Sequence, residues 1–226
     1  MSSVYKNKKL IIFDLDGTLI NSALDLALSI NYMLSALGQD TFNEETIHKW
    51  VGNGALTLVK RALSGSRDED ENLDETHVKN ALEIFLDYYE KNLCNKTVPY
   101  PNVVETLHAL KNKGYTLAIV TNKPFAFVPT ILKRLNIDYM FTCILGGDSL
   151  SKKKPDPMPL LHTCKTLKID VKNSIMIGDS KNDILAANAC GMESIGVTYG
   201  YNYGEDIGIY KPNIIIDDFS ELLKYL

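Results

Sequence analysis

Asp14 and Asp16 stand two residues apart at the end of the apolar run Leu10-Ile11-Ile12-Phe13. In an extended chain a period of two puts both side chains on one face. The run reads as a buried parallel strand, and open α/β sheets keep their chemistry at the C-terminal ends of such strands. Two neighbouring anions there need a cation or a shared proton to compensate them, so the pair marks a candidate catalytic site. The competing reading is a strand-ending Asp14 followed by an ordinary Asp16-Gly17 turn.

Three later segments shift the balance towards chemistry. The run Tyr115 to Val120 ends in Thr121-Asn122, a hydroxyl and an amide. The run Ser174 to Ile177 ends in Gly178-Asp179-Ser180, with Asp183 four residues beyond Asp179. Between them lies the basic loop Lys152-Lys153-Lys154-Pro155-Asp156-Pro157. In a parallel sheet these strand ends and the cationic loop can converge on one point.

In this order the segments resemble the motifs of the haloacid-dehalogenase superfamily of phosphatases. Asp14-Leu15-Asp16-Gly17-Thr18 is similar to the first motif, Thr121-Asn122 to the second, Lys154-Pro155-Asp156-Pro157 to the third, and Gly178-Asp179-Ser180 with Asp183 to the fourth. The resemblance implies a phosphomonoester hydrolase in which Asp14 attacks phosphorus to form an aspartyl-phosphate. Asp16 then serves as general acid and base. Thr121 and the Asn122 backbone bind phosphate oxygens, and Lys154 adds positive charge at the transition state. It also implies Mg²⁺, a cation suited to oxygen ligands, held by Asp14, the Asp16 backbone carbonyl and Asp179. Asp183 is expected to orient Asp179 or a metal-bound water; its alternative role is a helix N-terminal acid. Lys152 and Lys153 are expected to be solvated neighbours. Asp16 also argues against the dehalogenase branch, whose members lack an acid at that position.

The elements that must position these residues fall into two kinds. From Ser22 to about Lys96 the pattern is helical. Ser22 with Asp25 forms a capping-box-like start ahead of Leu26, Ile30, Met33, Leu34 and Leu37. Asp74 caps a second helix with the stripe Val78, Leu82, Phe85, Leu86 and Tyr89, read as packing surface. The polar stretch from Ser64 to Glu71 reads as a solvated loop. After Thr97-Val98-Pro99-Tyr100-Pro101, helices and strands alternate, which implies a parallel sheet covered on both faces. The expected fold is α/β: a Rossmann-like parallel-sheet core from residues 1–20 and 98–226, with a helical cap domain, 21–97, inserted after the first strand. Ile20-Asn21 and Pro99-Tyr100-Pro101 are the expected hinges.

Within the cap, Trp50-Val51-Gly52-Asn53-Gly54-Ala55 places two glycines around an amide just before a helix that carries Lys60 and Arg61. Gly52, Asn53 and Gly54 either reach the site, where a helix N-terminus favours an anion, or form a plain helix start capped by Asn53. This segment, with Arg61-Ala62-Leu63 and the stretch Thr198 to Glu205, resembles bacterial phosphoglycolate phosphatases. The resemblance implies 2-phosphoglycolate as substrate. Arg61 is a candidate cation for its carboxylate, or else a solvent-exposed helix residue. Two other readings compete: a sugar-phosphate mutase on the same fold, and a non-catalytic phosphoester-binding module.

Global properties narrow the class. A chain of 226 residues with 45% hydrophobic and 23% charged residues can bury a sizeable core. A formal net charge of −4 offers no basic field for nucleic acid or an anionic membrane. Lys6, Lys8 and Lys9 precede an apolar run too short for a signal peptide, and no stretch approaches a membrane span. The four cysteines form no Cys-x-x-Cys pair and the four histidines show no metal-ligand spacing. These features predict a soluble intracellular protein; together with the resemblance, which implies a small phosphomonoester as partner, the expectation is a cytoplasmic enzyme, monomer or homodimer.

Overall fold

The structure, a computed structural model, describes Tyr5 and residues 7–226. Met1 to Val4 and Lys6, at the edge of the expected core segment 1–20, lie outside the described residues. The chain opens with β1 (Leu10–Phe13) and the short β2 (Ile20–Asn21). Four helices follow: α1 (Ala23–Ala36), α2 (Glu44–His48), α3 (Ala55–Ser64) and α4 (Glu75–Lys91). The alternating part runs β3 (Val98–Pro99), α5 (Val103–Asn112), β4 (Thr116–Val120), α6 (Val128–Arg134), β5 (Cys143–Leu145) and α7 (Met158–Leu167). It ends with β6 (Ser174–Gly178), α8 (Lys181–Ala189), β7 (Glu193–Val197), β8 (Ile214–Ile216) and α9 (Leu222–Tyr225).

Six strands form one sheet in the order β5-β4-β1-β6-β7-β8, every neighbouring pair parallel. This is the expected α/β core. β1 is fully buried because both faces are covered: Ile11 and Phe13 join one apolar cluster, Leu10 and Ile12 the other. That split follows directly from the period-two alternation of a strand. Phe13 sits level with Ile119 of β4 and Ile177 of β6, so the three strands end together. The chain builds outward from β1 first to one side and then to the other. The resulting switch point lies at the C-terminal ends of β1, β4 and β6, where such sheets open a crevice.

The four helices from α1 to α4 leave and rejoin the sheet through a small antiparallel ribbon, with Ile20 opposite Pro99 and Asn21 opposite Val98. Leu26, Ile30, Met33 and Phe85 of this block share an apolar cluster with Ile11 and Phe13 of the sheet. The expected capping box at α1 does not form. Ser22 makes no side-chain cap. Buried Asp25 instead accepts from Lys96 N and Thr97 N, and from Thr97 Oγ1 at 2.6 Å. The physical reason is competition: Ser22 N already donates to the Tyr201 hydroxyl, Ala23 N to Asn21 Oδ1 and Ser22 Oγ to Asp16, which leaves the Asp25 carboxylate to the donors of the crossing chain. Asp74 does cap α4, accepting from His77 N at 2.7 Å.

Candidate active site

The acids that follow β1 and β6 gather at the C-terminal ends of these strands. Asp14 directly follows β1, and its N–H donates to the Ile177 carbonyl of β6, which holds the turn against the neighbouring strand. Its Oδ1 accepts from Leu15 N at 2.7 Å and lies 3.0 Å from Lys154 Nζ. Lys154, 1% exposed, also donates to Asp183 Oδ1 at 2.6 Å. One ammonium therefore bridges acids from two strand ends.

Asp179 is clamped from both sides. Thr18 Oγ1 donates to its Oδ1 at 2.7 Å and Tyr201 N to its Oδ2 at 2.8 Å. The two glycines flanking it leave room for nothing else. A Cβ on Gly17 would lie 2.3 Å from Asp179 Oδ2, and one on Gly200 would lie 2.1 Å from Asp179 Cβ. Gly17 also has φ +89°, a conformation that disfavours side chains. Gly200 belongs to the Thr198–Glu205 stretch, which the four motifs left without a task; one task is to make space for this carboxylate.

Carboxylate oxygens of Asp14, Asp179 and Asp183 all lie within 4.8 Å of one another, in a buried cluster. Burial pushes the Asp14 carboxyl up to about 8, against the opposing pull of Lys154, with Asp183 and Asp179 adding to the rise. Burial likewise raises Asp179 to about 7, helped by Asp183. One lysine does not compensate three crowded carboxylates, and a set of hard oxygen donors with excess negative charge is what a divalent cation requires. The residues fit such an ion. Asp183 itself accepts from Ser180 N at 3.0 Å at the start of α8 and from Lys154. Ser180 Oγ donates to it as well, at 2.9 Å, and both its helix-terminal and its acid-cluster positions are realised.

Asp16 faces a different environment. Its carboxylate turns away from the acid cluster and accepts from Ser22 Oγ at 2.6 Å and from Lys123 Nζ at 3.0 and 3.1 Å. Lys123 is buried, and its ammonium also sits 4.8 Å from the ring centroid of Tyr89 in α4. Thr121 Oγ1 accepts from Lys123 N at 3.2 Å, which leaves its own O–H able to donate. Asn122 Nδ2 donates to Lys154 O at 3.0 Å and to Gly52 O at 3.2 Å, tying the basic loop to the helical block.

A cleft lies between the sheet and the helices. Asp14, Asp16, Thr121, Asn122 and Lys123 line one wall; Leu26, Val51, Gly52, Gly54, Ala55, Leu58, Phe85 and Tyr89 line the other. The Gly52-Asn53-Gly54 segment thus reaches the site. Gly54, not Asn53, occupies the N-cap of α3. Asn53 instead faces the sheet domain: its carbonyl accepts from Lys153 Nζ at 2.6 Å and its side chain from the Tyr203 hydroxyl. Lys153 is therefore a strap on the helical block and not merely a solvated neighbour. The α4 stripe is likewise more than packing surface, because Phe85 and Tyr89 wall the cleft. Arg61 donates to Trp50 O at 2.7 Å and packs over the Tyr203 ring, and is not among the cleft residues.

Lys123 and Ser22 are the site residues that the motifs missed. Lys123 adjoins Thr121-Asn122 and precedes Pro124, a position that reads as a solvated loop cation; Ser22 reads as a helix cap. Their adjacency to motif residues was the available signal.

Comparison with known proteins agrees with this geometry. Residues 11–197 match the family model for haloacid dehalogenase-like hydrolases. The phosphoglycolate phosphatase of Colwellia psychrerythraea is 53% identical over 218 residues, covering 96% of each chain. That of Psychrobacter arcticus is 49% identical over 97% of this chain and 96% of its own. The crystal structure of a predicted phosphoglycolate phosphatase from Haemophilus somnus superposes with a TM-score of 0.91 at 45% identity, covering 97% of this chain and 98% of that one. With its parallel sheet, its four converging motifs and these full-length relatives, the chain belongs to the haloacid dehalogenase-like hydrolases.

Proposed function

We propose that this chain is a Mg²⁺-dependent phosphoglycolate phosphatase, hydrolysing 2-phosphoglycolate to glycolate and phosphate. The carrying observation is the division of labour between two aspartates in one cleft. Asp14 sits among acids and Lys154, while Asp16 stands apart on Ser22 and Lys123. A nucleophile must lie where phosphate charge is neutralised, and a proton carrier must lie where the leaving oxygen departs.

In this reading Asp14 Oδ attacks phosphorus and the P–O bond to glycolate breaks, giving an aspartyl-phosphate. Asp16 delivers its proton to the leaving alkoxide and then takes one from the water that hydrolyses the acyl-phosphate. Thr121, the Asn122 backbone and Lys154 hold the phosphate oxygens. Asp14, the Asp16 carbonyl and Asp179 would hold Mg²⁺, with Asp183 in support. When bound, the ion neutralises phosphate charge so that a weak carboxylate nucleophile can approach. Residues 21–97 act as the cap that excludes water, with Gly52, Asn53 and Gly54 as its contact with the site.

The four cysteines are free thiols, which suits a reducing cytoplasmic setting. No helix among the described residues is long and apolar enough to cross a membrane. A monomer or homodimer without nucleic-acid partners accords with the acidic net charge of −4.

The test is phosphate release from 2-phosphoglycolate and a panel of small phosphomonoesters, with Mg²⁺ and with chelator, in wild type and Asp14→Asn. The expected result is Mg²⁺-dependent turnover that favours phosphoglycolate and is abolished in the variant. Turnover spread evenly over the panel removes the substrate assignment. Phosphoryl exchange on a hexose phosphate with a bisphosphate activator, without hydrolysis, reassigns the chain to the mutases.

A further inference from the structure

We infer that Lys123 is the specificity-determining residue of the cleft, binding the carboxylate of the substrate with its buried ammonium. The inference rests on the phosphoglycolate reading above and adds to it the group that distinguishes this substrate from other small phosphoesters.

Three observations carry it. Among the described residues lining the cleft, Lys123 is the one cation; the charged residues beside it are Asp14 and Asp16. The opposite wall is apolar where Leu26, Val51, Leu58 and Phe85 form it, so it has no charge to offer an anion. Arg61, the candidate cation of the cap sequence, is not among the cleft residues; it donates to the Trp50 carbonyl and packs over the Tyr203 ring.

Connectivity then fixes the place. In 2-phosphoglycolate one oxygen and one methylene separate phosphorus from the carboxylate. Asp16 must reach that bridging oxygen to protonate it, so the carboxylate, one methylene further, falls beside the groups around Asp16. Lys123 Nζ touches both Asp16 oxygens, at 3.0 and 3.1 Å. Its position over the Tyr89 ring leaves the ammonium at the junction of cap and core. A desolvated lysine there can turn from Asp16 to an incoming carboxylate while retaining an anionic partner, as a buried ammonium requires. Tyr89, supplied by the cap, stacks on the same ammonium, so the carboxylate site is complete only with the cap against the core.

The test compares 2-phosphoglycolate with ethyl phosphate, which replaces the carboxylate by a methyl group, in the full chain with Mg²⁺. In Lys123→Met, kcat/KM for phosphoglycolate is expected to fall about a hundredfold further than for ethyl phosphate, chiefly through KM. An equal fall for both substrates overturns the inference, because Lys123 would then act only on Asp16, and leaves the phosphoglycolate reading intact. A wild type that does not prefer phosphoglycolate overturns the substrate reading and this inference with it. Should Lys123→Met fail to fold, Lys123→Arg decides. Its longer, planar head is expected to raise KM for phosphoglycolate selectively, and an equal shift for both substrates again overturns the inference.

Discussion

At the scale of single residues, the site is a problem of crowded negative charge. Asp14, Asp179 and Asp183 are buried within a few ångströms, and Lys154 alone bridges two of them. Protons can relieve this crowding: burial pushes Asp14 up to about 8 and Asp179 to about 7. In the unfolded chain both titrate near 3.9. Between these limits the native state binds more protons than the unfolded one, so native stability falls as pH rises from about 4 to about 8. A cation binds only the deprotonated cluster and replaces those protons. The thermal stabilisation by Mg²⁺ over chelator is therefore expected to be larger at pH 8 than at pH 5.5. Melting curves at the two pH values check this, and an equal or greater Mg²⁺ shift at the lower pH would contradict it.

At the scale of elements, the segment from Tyr199 to Glu205 joins the Asp14–Thr18 loop to the helical block. The Tyr199 hydroxyl donates to Thr18 O at 2.9 Å, and the Tyr201 hydroxyl accepts from Ser22 N at 2.8 Å. Tyr203 reaches further: its hydroxyl bonds the Asn53 side chain and accepts from Asn182 Nδ2 at 3.0 Å. Asn182 also donates to Gly52 O at 3.1 Å, and Arg67 pairs with Glu205. The carboxyl of Glu205 is held down at about 2 by Tyr210 and Arg67. Together with Lys153 and Asn122, these contacts hold the Gly52-Asn53 loop on the core. Tyr203→Phe keeps the ring under Arg61 and Arg67 but removes the hydroxyl. It is expected to cost about 1 kcal/mol of stability and to raise KM several-fold with a smaller change in kcat. Steady-state kinetics with urea unfolding check it; an unchanged KM would show that this contact does not govern substrate binding.

At the scale of the whole molecule, the chain leaves the sheet at Ile20-Asn21 and returns at Val98-Pro99, and the two passages pair side by side. Tyr100 N adds a bond to Leu19 O at 3.0 Å. Asp25 fastens the return passage to α1 through the two N–H groups and the hydroxyl of Lys96-Thr97. This narrow junction carries both passages between the helical block and the sheet. Asp25→Ala strands several buried donors at once and is expected to destabilise the protein by about 2–4 kcal/mol. Chemical denaturation measures that loss; a cost below about 0.5 kcal/mol, the range of ordinary surface changes, would remove Asp25 from the junction.

The sequence by itself determined the parallel α/β core, the helical insertion, and the positions of Asp14, Thr121, Lys154, Asp179 and Asp183. The core, the insertion and the strand-end residues Asp14, Thr121 and Asp179 follow from apolar runs of strand length, alternation with helices, and polar residues at the ends of the runs, whereas Lys154 and Asp183 follow from the resemblance to the family's motifs. Nearly every helix and strand of the second half is legible in this way, from Met158–Leu167 to Ile214–Ile216. Only the tertiary structure decided that Lys123 partners Asp16 across 107 positions, and that Tyr203 meets Asn53 across 150. It also turned Ser22 from a helix cap to a partner of Asp16, and Asp25 to the junction between the helical block and the sheet. Such pairings depend on strand order and on where the cap rests, neither of which any periodicity encodes. A lysine after a strand reads as solvated until the opposite wall is in place, and burial then leaves it no partner but a carboxylate.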